Sequence, residues 1–373
     1  MNKDVVVIGA GGTGRGFLAR LLQEDGATLC FIDKDEELIR ALSEKGCFQI
    51  GFGEAAPPFT VSDYEAYPIN SEAALSKTVN ADWVFISIGE KLLPTLTDFL
   101  KRAADARTEP LRVVVCENGI APKQVLRDAL ESAGVGNVLV TQGVIFCTSI
   151  PAPGNPLDIV SENYNALPFD YDEELFTLPF PHFPATKGFD RLLQRKIYTY
   201  NCLSACIAYA GFYLGYTVYA DAANDPLVVE LCERACGPIN GVMCKYMGVT
   251  AQEQHAFSQR ALDKFRNRQI SDTIQKNARS AAKKLGPTER IMGPLRLMRE
   301  YGEETATMTL VAALALHYLE CVEALEWDGI VYLSAEELFR AIDPDLDGDV
   351  YAAICRTLEQ IRDNKPLKEI ARL

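Results

Sequence analysis

The chain has 373 residues, of which 48% are hydrophobic and 24% charged, and its formal net charge at pH 7 is -14. This length suits two domains that each bury a core of their own. The negative charge argues against a nucleic acid or an anionic membrane as partner, because binding a polyanion requires a basic face. A small anion could still occupy a local basic pocket. Eleven cysteines along the chain, and an N-terminus without a signal-peptide pattern, predict a reduced, cytoplasmic protein.

The N-terminal half alternates buried-strand patterns with helical patterns. The first strand pattern, DVVVI at 4–8, stops at the glycine-rich stretch GAGGTGRGF and passes into a helix, and the next, TLCFID, ends on Asp33. Further strand patterns lie near 81–89, 111–119 and 137–145. Strands that alternate with helices predict an α/β fold with a parallel, doubly wound sheet and helices on both faces.

The composition changes after residue 150. The chain is rich in proline and irregular as far as about residue 190, and beyond Arg195 almost every window has helical spacing. We therefore predict a nucleotide-binding domain over 1–190 and an all-helical substrate and catalytic domain over 191–373. The uncharged run from 201 to 220 has about the length of a membrane span, but its polar residues favour a helix buried within the protein.

Gly9, Gly11 and Gly14 have the G-x-G-x-x-G spacing of a dinucleotide-binding turn. The first glycine permits a tight turn, the second lets the backbone approach a pyrophosphate, and the third lets the helix pack on the strand. Asp33 stands about twenty residues further on, at the end of the next strand, where an acid is expected to bind the ribose. Its charge would repel a 2′-phosphate, so the pattern predicts NAD rather than NADP as cofactor, a preference that the adjacent Lys34 weakens.

The stretch KIYTYNCLS, at the start of the uncharged run, contains the candidate residues Lys196, Asn201 and Ser204. In a regular helix with about 100° per residue, Ser204 lies about 80° and Asn201 about 140° around the axis from Lys196, so the three share one side. A lysine kept partly dry has a lowered pKa and can take a proton from an alcohol, and a nearby asparagine can stabilise an oxyanion. Asn118 ends a buried strand and is a second candidate donor. The competing interpretations are an ion pair for the lysine and capping roles for the asparagines.

Seven stretches resemble the polyol-specific long-chain dehydrogenases, the mannitol dehydrogenase family: GAGGTGRGF, FISIGEKLL, VVVCENG, KIYTYNCLS, AYAGFYLGYTVYADA, QHAFSQRALDKFRN and KKLGPTERIMGPL. The resemblance covers nearly the whole chain. It implies an N-terminal Rossmann domain followed by an all-helical C-terminal domain. It also implies metal-independent, NAD-linked oxidation of a polyol or its phosphate, with Lys196 as general base and Asn118 and Asn201 as oxyanion donors.

Two departures from the family pattern affect the expected chemistry. The family has a histidine eight residues after the lysine, where this chain has Ser204, and serine donates a hydrogen bond but does not titrate near neutral pH. The family also tends to carry an Asp-Arg pair where this chain has Thr148 and Ser149. His182 is one candidate to replace the missing histidine. A different hydroxy or keto substrate, or slowed catalysis, therefore stays open.

Basic residues gather in IQKNARSAAKKLGPTER, and such groups would hold a substrate phosphate. The resemblance favours Lys284 and Arg290, against the alternative of a solvated helix face for any one of them. No metal site is predicted, because the calcium-like loop that starts at Asp343 has Ile354 where a bidentate glutamate is required.

The sequence thus predicts NAD-dependent interconversion of a polyol, or its phosphate, and a keto sugar. The expected partner is a small-molecule substrate, and the expected oligomeric state is a monomer or a loose homodimer. Two alternatives remain: a reductase of another keto acid or keto sugar, and an NAD-binding regulatory or structural protein whose catalytic site has decayed.

Overall fold

The chain forms two compact units, Met1–Asp190 and Arg191–Leu373. A computed structural model describes residues 3–119, 121–270 and 272–372. Each unit buries an apolar core of its own.

The first unit is built on a predominantly parallel sheet of eight strands. The order across this sheet is β12-β11-β8-β7-β6-β1-β2-β5, in which only β11 runs antiparallel to its neighbour β8. The remaining strands form a second sheet in the order β4-β3-β10-β9. The twelve strands of the unit are β1 Asp4–Ile8, β2 Thr28–Asp33, β3 Cys47–Gly51, β4 Phe59–Ser62, β5 Tyr64–Pro68, β6 Trp83–Ile86, β7 Leu111–Cys116, β8 Val138–Gly143, β9 Ser149–Ala152, β10 Asn155–Ser161, β11 Phe169–Asp170 and β12 Ala185–Thr186.

Helices cover both faces of the main sheet, which explains the unbroken apolar run of β1. Val5 and Val7 belong to one core cluster, and Val6 and Ile8 belong to the other. Strand order reverses at β1, which lies between β2 and β6, and this switch point is where doubly wound sheets bind ligands. The predicted doubly wound α/β fold is confirmed. The helices of the unit are α1 Ala19–Glu24, α2 Glu36–Lys45, α3 Glu72–Asn80, α4 Thr97–Asp105 and α5 Pro122–Ser132, with a π-helical turn Gly14–Leu18 before α1 and a 3-10 segment Glu90–Leu96 before α4.

The proline-rich stretch after residue 150 packs into the first unit. Its strand β9 pairs with β10, which also pairs with β3, and β11 and β12 extend the main sheet. The rings of Phe180 and Phe183 pack edge-on against Phe85. This part of the chain is therefore ordered by aromatic burial and strand pairing, despite its irregular pattern.

The second unit is mostly helical, as predicted, with one short hairpin. Its helices are α6 Phe189–Lys196, which begins in the first unit, α7 Cys202–Tyr213, α8 Tyr219–Ala223, α9 Pro226–Met247, α10 Ala251–Arg266, α11 Ile274–Ala278, α12 Ala281–Lys284, α13 Met292–Glu300, α14 Ala306–Val322, α15 Ala335–Ile342, α16 Gly348–Arg362 and α17 Leu367–Ala371. The hairpin consists of β13 Glu326–Trp327 and β14 Ile330–Val331. The uncharged α7 packs against α9, α11 and α14. Nowhere in the described part of the chain is a helix both long and apolar enough to span a membrane.

Candidate active site

Of the three glycines in the G-x-G-x-x-G motif after β1, two leave no room for a Cβ atom and one leaves room. Gly9 has a φ of 103°, in the region that favours glycine, and a Cβ there would overlap the carbonyl oxygen of Ser87. A Cβ on Gly14 would overlap the carbonyl oxygen of Gly9. A Cβ on Gly11 would meet nothing within 4 Å. The first and third glycines are thus required by packing, whereas the second leaves space beside the backbone for a ligand, as a pyrophosphate would require.

Asp33, at the end of β2, contacts this turn directly. Its Oδ2 accepts a hydrogen bond from the backbone N–H of Ala10 at 2.7 Å, and its Oδ1 accepts one from Asp35 at 3.0 Å. The carboxylate therefore stands beside the glycine turn, at the edge of the sheet where the sequence predicts a ribose.

Arg15, which was not among the predicted site residues, links the glycine turn to β10. Its side chain is 3% exposed, and its Nε donates to the carbonyl oxygen of Ala10 at 2.6 Å. Its Nη1 donates to the carbonyl oxygens of Pro156 and Leu157 in β10. Burial lowers the pKa of Arg15, but a guanidinium remains charged at physiological pH. In the sequence, this role is indicated only by the position of Arg15 within the glycine-rich stretch that begins the helix.

Asn118 follows β7 and is exposed at the carboxyl edge of the sheet. The preceding residue, Glu117, points inward, and its Oε1 accepts hydrogen bonds from the backbone N–H groups of Ile88 and Gly89, both at 2.7 Å. Burial raises the pKa of Glu117. Because β1, β6 and β7 are parallel neighbours, Gly9, the loop after β6 and Asn118 all lie at the same edge. Glu117 joins two of these loops, a contact that spacing alone does not predict.

A second group of candidate residues lies in the second unit, on a helix that contains a π-helical turn, Ile197–Asn201, between α6 and α7. The backbone N–H of Cys202 donates to the carbonyl oxygen of Ile197, five residues back. The helix covers Lys196 as predicted, but the regular step of 100° is wrong between Lys196 and Asn201. A π-turn closes over five residues instead of four, so Asn201 follows Lys196 by about one turn and lies closer to it around the axis than 140°.

Asn201 and Ser204 are the openings in a buried surface. From Ile197 to Gly211 every residue is buried except these two, which are partly exposed. Three residues apart on a helix, they are neighbours on one face. The hydroxyl of Tyr219 donates to Ser204 Oγ at 2.9 Å.

Lys196 is partly exposed as a residue, but its ammonium group is enclosed by protein near two other cations. Burial, with smaller contributions from the charges of Lys264 and Arg290, lowers its pKa to about 7. A lysine with this pKa is present in both protonation states near neutral pH, which suits a general base. Lys264, on α10, was not among the predicted site residues, although it lies in the stretch QHAFSQRALDKFRN that carries part of the family resemblance.

Of the five basic residues in the 276–290 stretch, the structure separates Lys284 and Arg290 from the rest. Lys284 is 8% exposed, and its Nζ donates to the backbone oxygen of Asn277. Burial, together with the charge of Arg290, lowers the pKa of Lys284 to about 7. Arg290 is partly exposed beside Glu289 and is a charged neighbour of both Lys196 and Lys284. The other three, Lys276, Arg279 and Lys283, are exposed.

His182 does not lie near the glycine turn. Its Nδ1 is 2.7 Å from Asp25 Oδ1, and Asp25 follows α1, at the opposite edge of the sheet from Gly9. Thr148 and Ser149, which stand in place of the Asp-Arg pair, lie where β9 begins. The backbone N–H of Thr148 donates to Glu162 at 2.6 Å, and the hydroxyl of Ser149 is 2.7 Å from that of Ser161.

The described residues contain no group of three or more His, Cys, Asp or Glu side chains that could hold a metal ion. In the calcium-like loop, Asp343 pairs with Arg296. Asp347 accepts from the backbone N–H groups of Asp349 and Val350 and caps α16. The loop therefore connects α15 and α16.

Comparison with curated proteins finds relatives over most of the chain. The mannitol-1-phosphate 5-dehydrogenase of Exiguobacterium sp. is 27% identical over 324 residues, which cover 84% of this chain and 85% of the relative. The enzyme of the same name from Pseudarthrobacter chlorophenolicus is 27% identical over 376 residues, which cover 95% and 97%.

Two solved structures share the fold over the whole chain. A mannitol 2-dehydrogenase from Pseudomonas fluorescens, in a ternary complex with NAD and D-mannitol, aligns with a TM-score of 0.71 at 15% identity and covers 100% of this chain and 94% of that chain. A substrate-free D-sorbitol dehydrogenase aligns with a TM-score of 0.77 at 14% identity over the same shares.

Models of protein families match both units. Residues 3–150 match the mannitol dehydrogenase Rossmann domain, and residues 189–325 match the mannitol dehydrogenase C-terminal domain. The two matches occur in chain order and together cover most of the sequence. The resemblance inferred from the motifs is confirmed, and this chain belongs to the mannitol dehydrogenase family of oxidoreductases.

Proposed function

We propose that this protein is an NAD-dependent polyol phosphate dehydrogenase that interconverts mannitol 1-phosphate and fructose 6-phosphate. The observation that carries the proposal is Lys196, whose pKa is lowered to about 7 beside the positive charges of Lys264 and Arg290. A base and a group of cations thus occur together, as oxidation of a phosphorylated alcohol requires. Relatives that cover most of the chain bear the name mannitol-1-phosphate 5-dehydrogenase.

The unit Met1–Asp190 binds the cofactor in this proposal. NAD, when bound, supplies the acceptor for the hydride that leaves the substrate carbon. Gly9 and Gly14 shape the turn, and Gly11 leaves the backbone accessible to the pyrophosphate. Asp33 binds the ribose hydroxyls and disfavours a 2′-phosphate.

The unit Arg191–Leu373 supplies the base. Neutral Lys196 takes the proton from the substrate hydroxyl as the alcohol is oxidised. Asn201 donates a hydrogen bond to that oxygen, where negative charge develops. The family resemblance implies Asn118 as the second oxyanion donor. Ser204 provides a third donor in the position of the family histidine.

A phosphate group on the substrate explains the remaining cations. The whole chain carries a charge of -14, which repels a phosphorylated substrate unless a local cluster of opposite charge attracts it. Arg290 and Lys284 bind the phosphate, the former through its planar fork and the latter as a point charge. A bound phosphate would favour the charged form of Lys284 and so offset the lowering of its pKa by burial.

We further propose a reducing, cytoplasmic location and a monomer or loose homodimer. None of the eleven cysteines forms a disulfide, which suits a reducing compartment. Size-exclusion chromatography with light scattering measures the oligomeric state.

The test follows NADH absorbance with purified protein against mannitol 1-phosphate, fructose 6-phosphate, and unphosphorylated polyols and keto sugars. We expect turnover of the phosphorylated pair, its loss in Lys196→Ala, and little change in Lys283→Ala, which removes an exposed lysine. An unchanged KM in Arg290→Ala would refute the phosphate assignment. NADH binding without turnover of any compound would refute the enzymatic proposal and favour an NAD-binding regulatory protein.

A further inference from the structure

The hydroxyl of Ser204 is held by a buried tyrosine. Tyr219 opens α8, is 5% exposed, and donates from its phenol to Ser204 Oγ at 2.9 Å. Its backbone N–H donates to the carbonyl oxygen of Asp272 at 3.0 Å, and its ring packs edge-on against Phe265 at 5.8 Å between centroids. The phenol oxygen therefore has a fixed position relative to the serine.

The direction of this hydrogen bond leaves a proton available on the serine. The geometry makes the Tyr219 phenol the donor to Ser204 Oγ, and burial raises the pKa of Tyr219 well above its usual range, so the phenol keeps the proton that it donates. A serine hydroxyl has one proton and two acceptor positions. Ser204 uses an acceptor position for Tyr219, and its Oγ donates to no other residue in the described parts of the chain.

The Ser204 hydroxyl lies on the partly exposed face of this helix. Asn201 and Ser204 interrupt an otherwise buried surface, and Asn201 follows Lys196 across the π-turn. A ligand oxygen that contacts the Asn201 amide is therefore within reach of the Ser204 hydroxyl as well, because residues three apart on a helix are neighbours.

We propose that Ser204 binds substrate by donating a hydrogen bond to an oxygen of the polyol or keto sugar, and that Tyr219 is the positioning residue that orients this donor. The inference rests on the proposed function and adds a specificity determinant to it. The ligand class is a compound with a hydroxyl or carbonyl oxygen next to the reacting carbon. A tyrosine and serine pair delivers one neutral donor over a wide pH range, where a histidine would change its charge.

A double-mutant cycle tests the coupling. The parameters kcat and KM for mannitol 1-phosphate are measured at saturating NAD for the wild type, Tyr219→Phe, Ser204→Ala and the double variant. We expect each single variant to lose about tenfold in kcat/KM, the size typical of one hydrogen bond. The double variant should be no worse than Ser204→Ala alone. Ser204→Thr, which keeps a hydroxyl, should recover most of the loss.

Tyr216→Phe is the matched control. Tyr216 lies three residues before Tyr219 and donates from its phenol to Asp225 at 2.8 Å, so this variant removes a tyrosine hydroxyl without touching Ser204. It should keep wild-type kcat/KM. Thermal unfolding of every variant identifies any that fail to fold, and Ser204→Ala and Ser204→Thr then carry the test, since neither alters the tyrosine.

Three results would overturn the inference. An unchanged kcat/KM in Ser204→Ala would show that Ser204 donates no hydrogen bond to the substrate. An equal loss of kcat/KM from Tyr219→Phe in the wild type and in the Ser204→Ala variant would show that the tyrosine has only a structural role. Equal kcat/KM values for Ser204→Thr and Ser204→Ala would show that the hydroxyl at position 204 does not contribute. These outcomes differ from failure of the proposed function, in which the wild type shows no turnover that depends on Lys196, and the inference then fails with it.

Discussion

The side-chain amide of Gln254 donates to the hydroxyl of Thr199 at 3.0 Å, inside the π-turn between Lys196 and Asn201. Gln254 is completely buried on α10, and its amide oxygen accepts from Arg195 Nε at 2.8 Å. One side chain therefore holds the helix on both sides of the proposed base. This external support explains how a turn of unfavourable geometry persists at this position.

Gln254→Ala should lower kcat/KM and stability together. The substitution leaves the buried hydroxyl of Thr199 and the partly buried guanidinium of Arg195 without their partner, which costs about 1–3 kcal/mol in the free energy of unfolding. We expect kcat/KM to fall at least tenfold, because Lys196 and Asn201 lose their fixed spacing. Gln259→Ala on the same helix is the control, since Gln259 bonds Asp263 at the surface. A Gln254→Ala variant with reduced stability and normal kcat/KM would contradict this role.

The pH dependence of alcohol oxidation should report on Lys196. Because only the neutral amine accepts a proton, kcat/KM should rise with pH and level off above an apparent pKa near 7. Lys264→Met removes a neighbouring positive charge and should therefore raise the pKa of Lys196, so that the rise in kcat/KM occurs at higher pH. Lys276→Met, at an exposed position, should leave the limb in place. A flat profile from about pH 5.5 to pH 9 would argue against lysine as the base.

Lys284 should make folding stability depend on pH. Its pKa falls from 10.5 in the unfolded chain to about 7 in the folded chain, so between these values the unfolded chain binds more protons and stability rises with pH. Burial of the charged ammonium therefore destabilises the folded protein fully below pH 7, and this destabilisation decreases towards pH 10.5. Lys284→Met should stabilise more at pH 6 than at pH 9, by up to about 2–3 kcal/mol.

Urea denaturation at the two pH values measures this difference. Lys283→Met removes the adjacent exposed lysine and should show the same stability change at both. A pH-independent effect of Lys284→Met would mean that the ammonium of Lys284 stays charged in the folded protein.

Asp33 should set the choice between NAD and NADP. Asp33→Asn keeps an oxygen that can accept from Ala10 and removes the charge that repels a 2′-phosphate. We expect the ratio of the Kd values for NADPH and NADH to fall about tenfold, as measured by fluorescence titration. Asp35→Asn removes the same charge from the cap of α2 and should change the ratio less. Equal ratios in the wild type and Asp33→Asn would show that Asp33 does not read the ribose.

The local features of the fold follow from the sequence because their causes are local. The β1 run and the Gly9, Gly11 and Gly14 spacing predict a strand, a turn and a helix, and Asp33 falls where the next parallel strand must end. The uncharged α7 is buried as its composition predicts. In each case the pattern and the structural constraint lie within about thirty residues of each other.

The features that escaped prediction depend on partners distant in sequence. The π-turn after Lys196 requires Gln254, which lies 55 residues from Thr199. Two of the three acceptors of the Arg15 guanidinium lie in β10, more than 140 residues away. No local periodicity carries such information, so the regular helical angle predicted between Lys196 and Asn201 was wrong.

The glycine turn offers a paired test of packing against cofactor binding. A methyl group on Gly14 would overlap the backbone of Gly9, whereas one on Gly11 would meet no protein atom within 4 Å. Gly14→Ala should therefore lower the melting temperature. Gly11→Ala should leave it unchanged and weaken NADH binding about tenfold, because the methyl group occupies the space through which the pyrophosphate approaches the backbone. Calorimetry and fluorescence titration measure the two effects separately. If Gly11→Ala binds NADH as tightly as the wild type, the cofactor does not lie against this turn, and the role of Asp33 would fail for the same reason.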